Sequence, residues 1–294
     1  MPKSAVVPFI DAHCHTHGLP WDAWETIGST GCAAVVLSAG NPHVFQEVHD
    51  EVPDLSDMIR YWEGAIKFAP MAEKRYLMKV FVALGVSFMT RWQQWEKGIE
   101  LLPGYLQAPG VVALGETGVD PWQYWGYKCP MDEQQKIVTE EVRIAKALNK
   151  PIILHTPTQR KDFMPEMKPE EYKRHFLDID MDIINRGGLD HKLLIIDHTD
   201  NATLDYALSE TKAYIGIGVG VSLRYTDFRY FADAIEKHGP DRFIINTDYI
   251  SELACDLFAI PKTIRELHRR GVEESAISRA VFENANECYR IGLT

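Results

Sequence analysis

The feature that most constrains this chain is a rhythm of eight short β-rich segments, each followed by a stretch of helical character. The segments fall at 9–15, 33–39, 78–85, 111–118, 151–156, 192–198, 213–221 and 242–248. Most are rich in Val, Ile, Leu and Ala, as expected of short strands. Between them lie helical stretches such as 132–149, dense in Glu, Lys, Gln and Ala, 226–238 and 257–270. Alternation of β and α along a whole chain builds a parallel sheet. Eight units in 294 residues suit a (β/α)8 TIM barrel; an open doubly wound sheet satisfies the same alternation. Two strand-to-helix connections carry insertions, 41–76 with one or two helices expected and 157–180 with a loop followed by a helix. A further helix is expected over 273–291. No fixed repeat period and no Gly/Ser-rich or Pro-rich linker interrupts the pattern, so residues 1–294 are taken as one domain.

Strong metal-ligand residue types fall at the ends of these segments. His13 and His15 are two apart on the first strand, and strand alternation turns them to one face. Glu116 lies near the end of the fourth strand, His155 ends the fifth, His198 the sixth and Asp248 the eighth. In a TIM barrel the C-terminal strand ends form the active-site face. Six ligand-type residues from five strands are therefore expected around one or two divalent ions. His13, His15 and Asp248 hold one, His155 and His198 the other, and Glu116 bridges them. Imidazole and carboxylate suit zinc first, with Mn, Fe, Ni or Mg as alternatives.

Each residue has an ordinary reading as well. A histidine after an apolar strand is commonly a hydrogen-bonded core residue, Asp248 can cap a helix, and Glu116 can be a buried acid with a basic partner. The joint placement is what points to metal. A metal ion lowers the pKa of its bound water to roughly 7, so the expected chemistry is hydrolysis by a metal-bound hydroxide on an ester, amide, lactone or phosphoester. Asp248 and Glu116 are the expected catalytic carboxylates, with Asp248 carrying the proton from the attacking water to the leaving group.

The segments IDAHCH, ALGETGVD, PIILHT, IIDHT and INTD, in that order, resemble the successive motifs of the TatD-like metal-dependent hydrolases of the amidohydrolase superfamily. DEQQKIVTEEVRIAKALNKPIILH and VFENANECYRIGL resemble that family's helix-and-strand segment and closing helix, so the resemblance runs from about residue 9 to 293. It implies the barrel, a mononuclear or binuclear metal site, and hydrolysis. TatD nucleases cleave DNA phosphodiesters, while relatives cleave amides, lactones or phosphate esters. This chain departs from the pattern after Asp248, where Tyr249-Ile250 replaces a Pro and an aromatic. It departs again after His155, where Thr156-Pro157 replaces Ser/Thr-Arg. Glu116 in place of a lysine sets it apart from the carbamylated-lysine phosphotriesterases.

Substrate contacts are expected from Arg160 and Arg224, in the loops after strands five and seven, and from Trp122 and Tyr124 in the aromatic-rich loop after strand four. The glycines 216, 218 and 220 lack the spacing of a phosphate loop and read as one face of strand seven, leaving room beside the metals. The net charge of −11 disfavours general attraction to phosphate backbones. That charge, with the aromatic loops, favours a small or medium-sized organic substrate. A TatD-type deoxyribonuclease acting on single-stranded nucleic acid is the alternative, and a non-catalytic metal-binding protein is the third reading. Five cysteines without a CxxC pair suggest neither disulfide framework nor zinc module, and fit the cytoplasm. The apolar run before Asp11 is too short for a secretory h-region, and no run of about 18 apolar residues suggests a membrane span.

Overall fold

The computed structural model describes residues 7–15, 21–39, 54–86, 93–121, 129–160, 163–220, 226–249 and 256–294. Each expected segment coincides with a strand, the second beginning one residue earlier than expected: β1 (Phe9–Cys14), β2 (Cys32–Ser38), β3 (Lys79–Leu84), β4 (Val111–Thr117), β5 (Ile152–Leu154), β6 (Leu194–Ile196), β7 (Tyr214–Gly218) and β8 (Phe243–Asn246). They form one eight-stranded sheet in sequential order, with parallel ladders wherever register is defined. This is the strand order of the (β/α)8 barrel. Most strands are shorter than the apolar segments that suggested them. The chain leaves the ladder just before His15, His155, His198 and Asp248, which places those side chains where it turns.

Ten α-helices follow the same order among the described residues: α1 (Trp21–Ser29), α2 (Leu55–Tyr76), α3 (Trp95–Tyr105), α4 (Met131–Leu148), α5 (Pro169–Gly187), α6 (Leu204–Glu210), α7 (Phe228–His238), α8 (Ala259–Arg269), α9 (Glu274–Ser278) and α10 (Asn284–Tyr289). The described part of the first insertion is one 22-residue helix, α2. In the second, a loop precedes α5, which starts on Pro169 and ends at Gly188 in the left-handed conformation, a standard pairing of start and stop residues. The tail is helical from α9 through a π turn at Arg279–Glu283 into α10.

The chain forms two compact units. One comprises Met1–Leu37, Phe68–Phe81 and Gly216–Thr294, the other Ser38–Lys67 and Val82–Ile215. In the first, the fully buried Trp24 packs against Phe68 and Tyr76, with ring centroids at 4.9 and 6.1 Å. The tail helix serves the strands of this unit. Tyr289 donates its hydroxyl to the carbonyl of Ala12 on β1 (2.7 Å), and the Asn284 amide donates to the carbonyl of Phe243 at the start of β8 (2.7 Å). In the second unit, Trp62 is buried beside Tyr105 and donates its indole N–H to the carbonyl of Gly85, the residue after β3 (3.0 Å).

Two ladders carry register irregularities at ligand-type residues. On β1 the shift lies between Asp11 and Cys14, around His13, and on β4 between Gly115 and Thr117, at Glu116. Bulges of this kind re-aim a side chain without ending the strand. Cys14, Cys32, Cys129 and Cys288 are buried free thiols. Among the described residues no helix is long and apolar enough to cross a membrane.

Candidate metal centre

In the first unit His13, on β1, and His15, just after it, face each other with Nε2 atoms 3.2 Å apart. Asp248, two residues past β8, places Oδ1 3.6 Å from His15 Nε2. All three are at most 2% exposed. Backbone bonds hold the arrangement: the N–H of Asp248 donates to the carbonyl of His13 (2.9 Å), and that of His15 to the carbonyl of Tyr249 (2.7 Å). Asp11 adds a side-chain clamp. Its carboxylate accepts the N–H (2.9 Å) and hydroxyl (2.5 Å) of Thr247, the residue before Asp248. Burial pushes the Asp11 carboxyl up to about 7, although both Thr247 bonds oppose the shift.

In the second unit Glu116 Oε1 lies 2.7 Å from His155 Nδ1 and 2.7 Å from His198 Nε2. The second ring nitrogen of His155, Nε2, stands 3.3 Å from Asp120 Oδ2. Around this trio, Ser38 accepts the N–H of Glu116 (2.9 Å), and Asp197 accepts the N–H of His198 (2.7 Å). Lys173, on α5, is 3% exposed and bonds both the carbonyl of His198 and the Asp200 carboxylate. Gly118 permits the close approach of the β4 and β5 ends. Its φ is +147°, and a Cβ there would lie 2.8 Å from the carbonyl oxygen of His155.

The donor sets fit divalent metal. In each trio, His13–His15–Asp248 and Glu116–His155–His198, one ligand atom per residue lies within 4.8 Å of the others. Two nitrogens at 2.0–2.1 Å from a tetrahedral zinc stand about 3.3 Å apart, close to the His13–His15 separation. The 2.7 Å contacts of Glu116 have hydrogen-bond lengths and would open by a few tenths of an ångström around an ion. His198 and Asp248 also adopt left-handed backbone, with φ of 56° and 51°. For residues other than glycine that conformation costs of order 1–2 kcal/mol, and such residues gather at functional sites.

Burial favours a neutral His155 ring, but Glu116 and Asp120 together outweigh it and push the imidazolium up to about 9. A metal binds only the neutral ring and must displace that proton. Metal affinity at this trio is therefore expected to rise about tenfold per pH unit from about pH 7 toward pH 9 and then level off. Competition titrations against a chelator across that range measure the slope, and a flat profile would show that no proton is displaced.

Each of the six expected ligands thus belongs to one of the two trios. Arg160 lies partly exposed, six residues past β5. Trp122, Tyr124 and Arg224 lie outside the described residues. The glycine face of strand seven has a more local cause at its end: a Cβ on Gly220 would meet the carbonyl oxygen of Thr247 at 2.5 Å, so close backbone approach demands glycine there. Sequence reasoning missed Asp11, Asp120 and Asp197. The only available signal was an acid two residues before His13, one before His198, and four past Glu116 within GETGVD.

Residues 10–290 match the family described as TatD-related DNase. The chain is 27% identical over 282 residues to an uncharacterized metal-dependent hydrolase of Methanocaldococcus jannaschii, covering 96% of this chain and all of that protein. It is 29% identical over 189 residues to the human 3′–5′ RNA nuclease TATDN2, covering 60% of this chain and 23% of that protein. Among solved structures, a TatD-like protein from Archaeoglobus fulgidus superposes with a TM-score of 0.69 at 23% identity, covering 96% of this chain and all of that one. A phosphotriesterase homology protein from Escherichia coli, complexed with phosphate in its active site, gives 0.65 at 12%, covering 97% and 99%. Both show the shared barrel fold. The chain belongs to the TatD-related DNase family, and it is a metal-dependent hydrolase.

Proposed function

We propose that this protein is a divalent-metal phosphodiesterase acting on single-stranded nucleic acid, through one domain spanning residues 1–294. The convergence of Glu116 Oε1 on His155 and His198 at 2.7 Å carries the metal reading. The family match and the RNA nuclease relative support the substrate class. His13, His15 and Asp248 are assigned to one ion and Glu116, His155 and His198 to another, with zinc as the first choice for this donor set. Bound there, a divalent ion supplies a Lewis acid and lowers the pKa of water. Asp248 is assigned as the proton shuttle, taking the proton of the attacking water and giving it to the leaving oxygen. Glu116 is assigned to hold both imidazoles in place. Buried free thiols suit a reducing compartment such as the cytoplasm.

The test combines metal analysis with a substrate panel. Chelated protein is reloaded with zinc, manganese or magnesium, then offered end-labelled single-stranded DNA and RNA, a lactone, an amide and a simple phosphodiester. Metal-dependent shortening of the oligonucleotides is expected. Turnover confined to the small molecules would favour the second reading, a hydrolase of small organic esters, amides or lactones, which the charge of −11 supports. Metal uptake with no turnover on any substrate would favour a non-catalytic metal protein.

Arg160 is assigned to a substrate phosphate because it follows His155 closely and a guanidinium matches phosphate oxygens. Arg160→Ala is expected to raise KM for oligonucleotides about tenfold with kcat little changed, the loss of roughly one charge-assisted contact. Steady-state kinetics with KM unchanged would remove Arg160 from the site.

A further inference from the structure

Helix α4 carries two fully buried polar side chains, Gln134 and Glu141. Seven residues apart, they share one helix face two turns apart. Both reach into the strand ends of the second unit. Glu141 accepts the N–H of Val86 (2.6 Å) and the hydroxyl of Thr117, the neighbour of Glu116. Gln134 makes three bonds. Its Oε1 accepts the N–H of Asp120 (2.8 Å), and its Nε2 donates to the carbonyls of Asp120 (3.0 Å) and Cys129 (2.9 Å). Both backbone polar groups of Asp120 are therefore held by one side chain from a rigid helix. That fixes the point from which the Asp120 carboxylate reaches His155 Nε2, at 3.3 Å.

This placement decides a matter of tautomer. A neutral imidazole has one N–H and one lone pair, and the partner of one nitrogen sets what the other offers. His155 lies between two carboxylates, Glu116 at Nδ1 and Asp120 at Nε2. Glu116 Oε1 also contacts His198 Nε2, so three candidate ligand atoms converge on the Nδ1 side. Asp120 meets the other nitrogen of the ring.

We propose that Gln134 is a positioning residue for the metal site, holding Asp120 where its carboxylate takes the Nε2–H of His155 and so directs the Nδ1 lone pair toward the ion. The inference rests on the metal reading of the Glu116–His155–His198 trio. It makes Asp120 a partner that fixes the ring and raises its basicity, and Gln134 a residue that acts only through Asp120. A merely structural glutamine would support folding and leave metal affinity and tautomer alone.

The experiment uses the full chain, with zinc affinity measured by competition against a chromogenic chelator and the His155 tautomer read from its ring 15N shifts in the zinc-loaded protein. Asp120→Ala is expected to weaken zinc binding about 10–100-fold, the usual effect of removing such a partner. Gln134→Met keeps the length of the side chain and removes its three bonds; a loss of about tenfold is expected. Because Gln134 acts through Asp120, the double variant should bind no more weakly than Asp120→Ala alone. Wild-type 15N shifts should show unprotonated Nδ1 and protonated Nε2 hydrogen-bonded to Asp120, and in Asp120→Ala the Nε2 resonance should move as that hydrogen bond is lost. If Gln134→Met does not fold, Gln134→Glu and Asp120→Asn, each conserving size, are measured the same way. Variants that bind zinc as wild type with the Nε2 resonance unchanged, or losses that add in the double variant, would overturn the inference while leaving the metal reading intact. Wild-type protein that takes up no zinc would overturn both.

Discussion

Asp248→Asn is expected to lower kcat about 10²–10⁴-fold, the usual range for a positioned acid–base group, while most of the metal stays bound. Asparagine keeps the shape of the side chain and an oxygen able to contact an ion, but it is not a base. It also tolerates the left-handed backbone observed at this position, with φ of 51°, better than most residues, so the fold should survive. The bonds through which Thr247 and His13 place the residue come from its neighbours and its own backbone, and the substitution leaves them intact. The measurement is kcat on the best substrate of the panel, together with zinc content and melting temperature. Near-normal kcat in a metal-loaded variant would make Asp248 a ligand only. Loss of metal and stability in parallel with activity would make it a structural carboxylate.

Glu116→Gln is expected to have an effect at least as large, by a different route. One oxygen of Glu116 serves both His155 and His198 at 2.7 Å, so a neutral amide removes the charge that both imidazoles face. Metal content at this trio should fall sharply. Loss of an ion's Lewis acidity is worth several kcal/mol in the transition state, so kcat/KM should fall about 10³-fold or more. Paired assays at limiting and excess metal separate weakened binding from lost chemistry, since excess metal restores only the former. If Glu116 were an ordinary buried acid, zinc stoichiometry and turnover would survive and only the melting temperature would change.

The parts of the architecture legible in the residues are those repeated or concentrated along the chain. β5 and β6 are found because the apolar runs in PIILH and KLLIIDH stop at ligand-type residues, His155 directly and His198 just after Asp197. His13 and His15 are found by spacing alone. The supporting groups were not legible, because their environment is set by chain segments far away in sequence. Gln134 and Glu141 sit in DEQQKIVTEE, where every polar residue looks like helix surface, yet these two are fully buried. Asp120 is separated from His155 by 35 positions, with nothing local to show that its carboxylate returns to the ring. The register shifts at His13 and Glu116 arise from pairing with β2 and β5, which strict alternation does not anticipate.

The buried Lys173 has a practical consequence. Its amine lies against the carbonyl of His198 and the Asp200 carboxylate, with 3% of the residue exposed, whereas lysines such as Lys136 and Lys168 stand in solvent. An amine-directed acylating reagent will modify the latter at once and Lys173 only during excursions in which α5 lifts from the end of β6. Peptide mass spectrometry of Lys173 acylation over time thus becomes an intrinsic clock for local opening beside His198. An ion held by Glu116, His155 and His198 would slow that clock in proportion to its affinity.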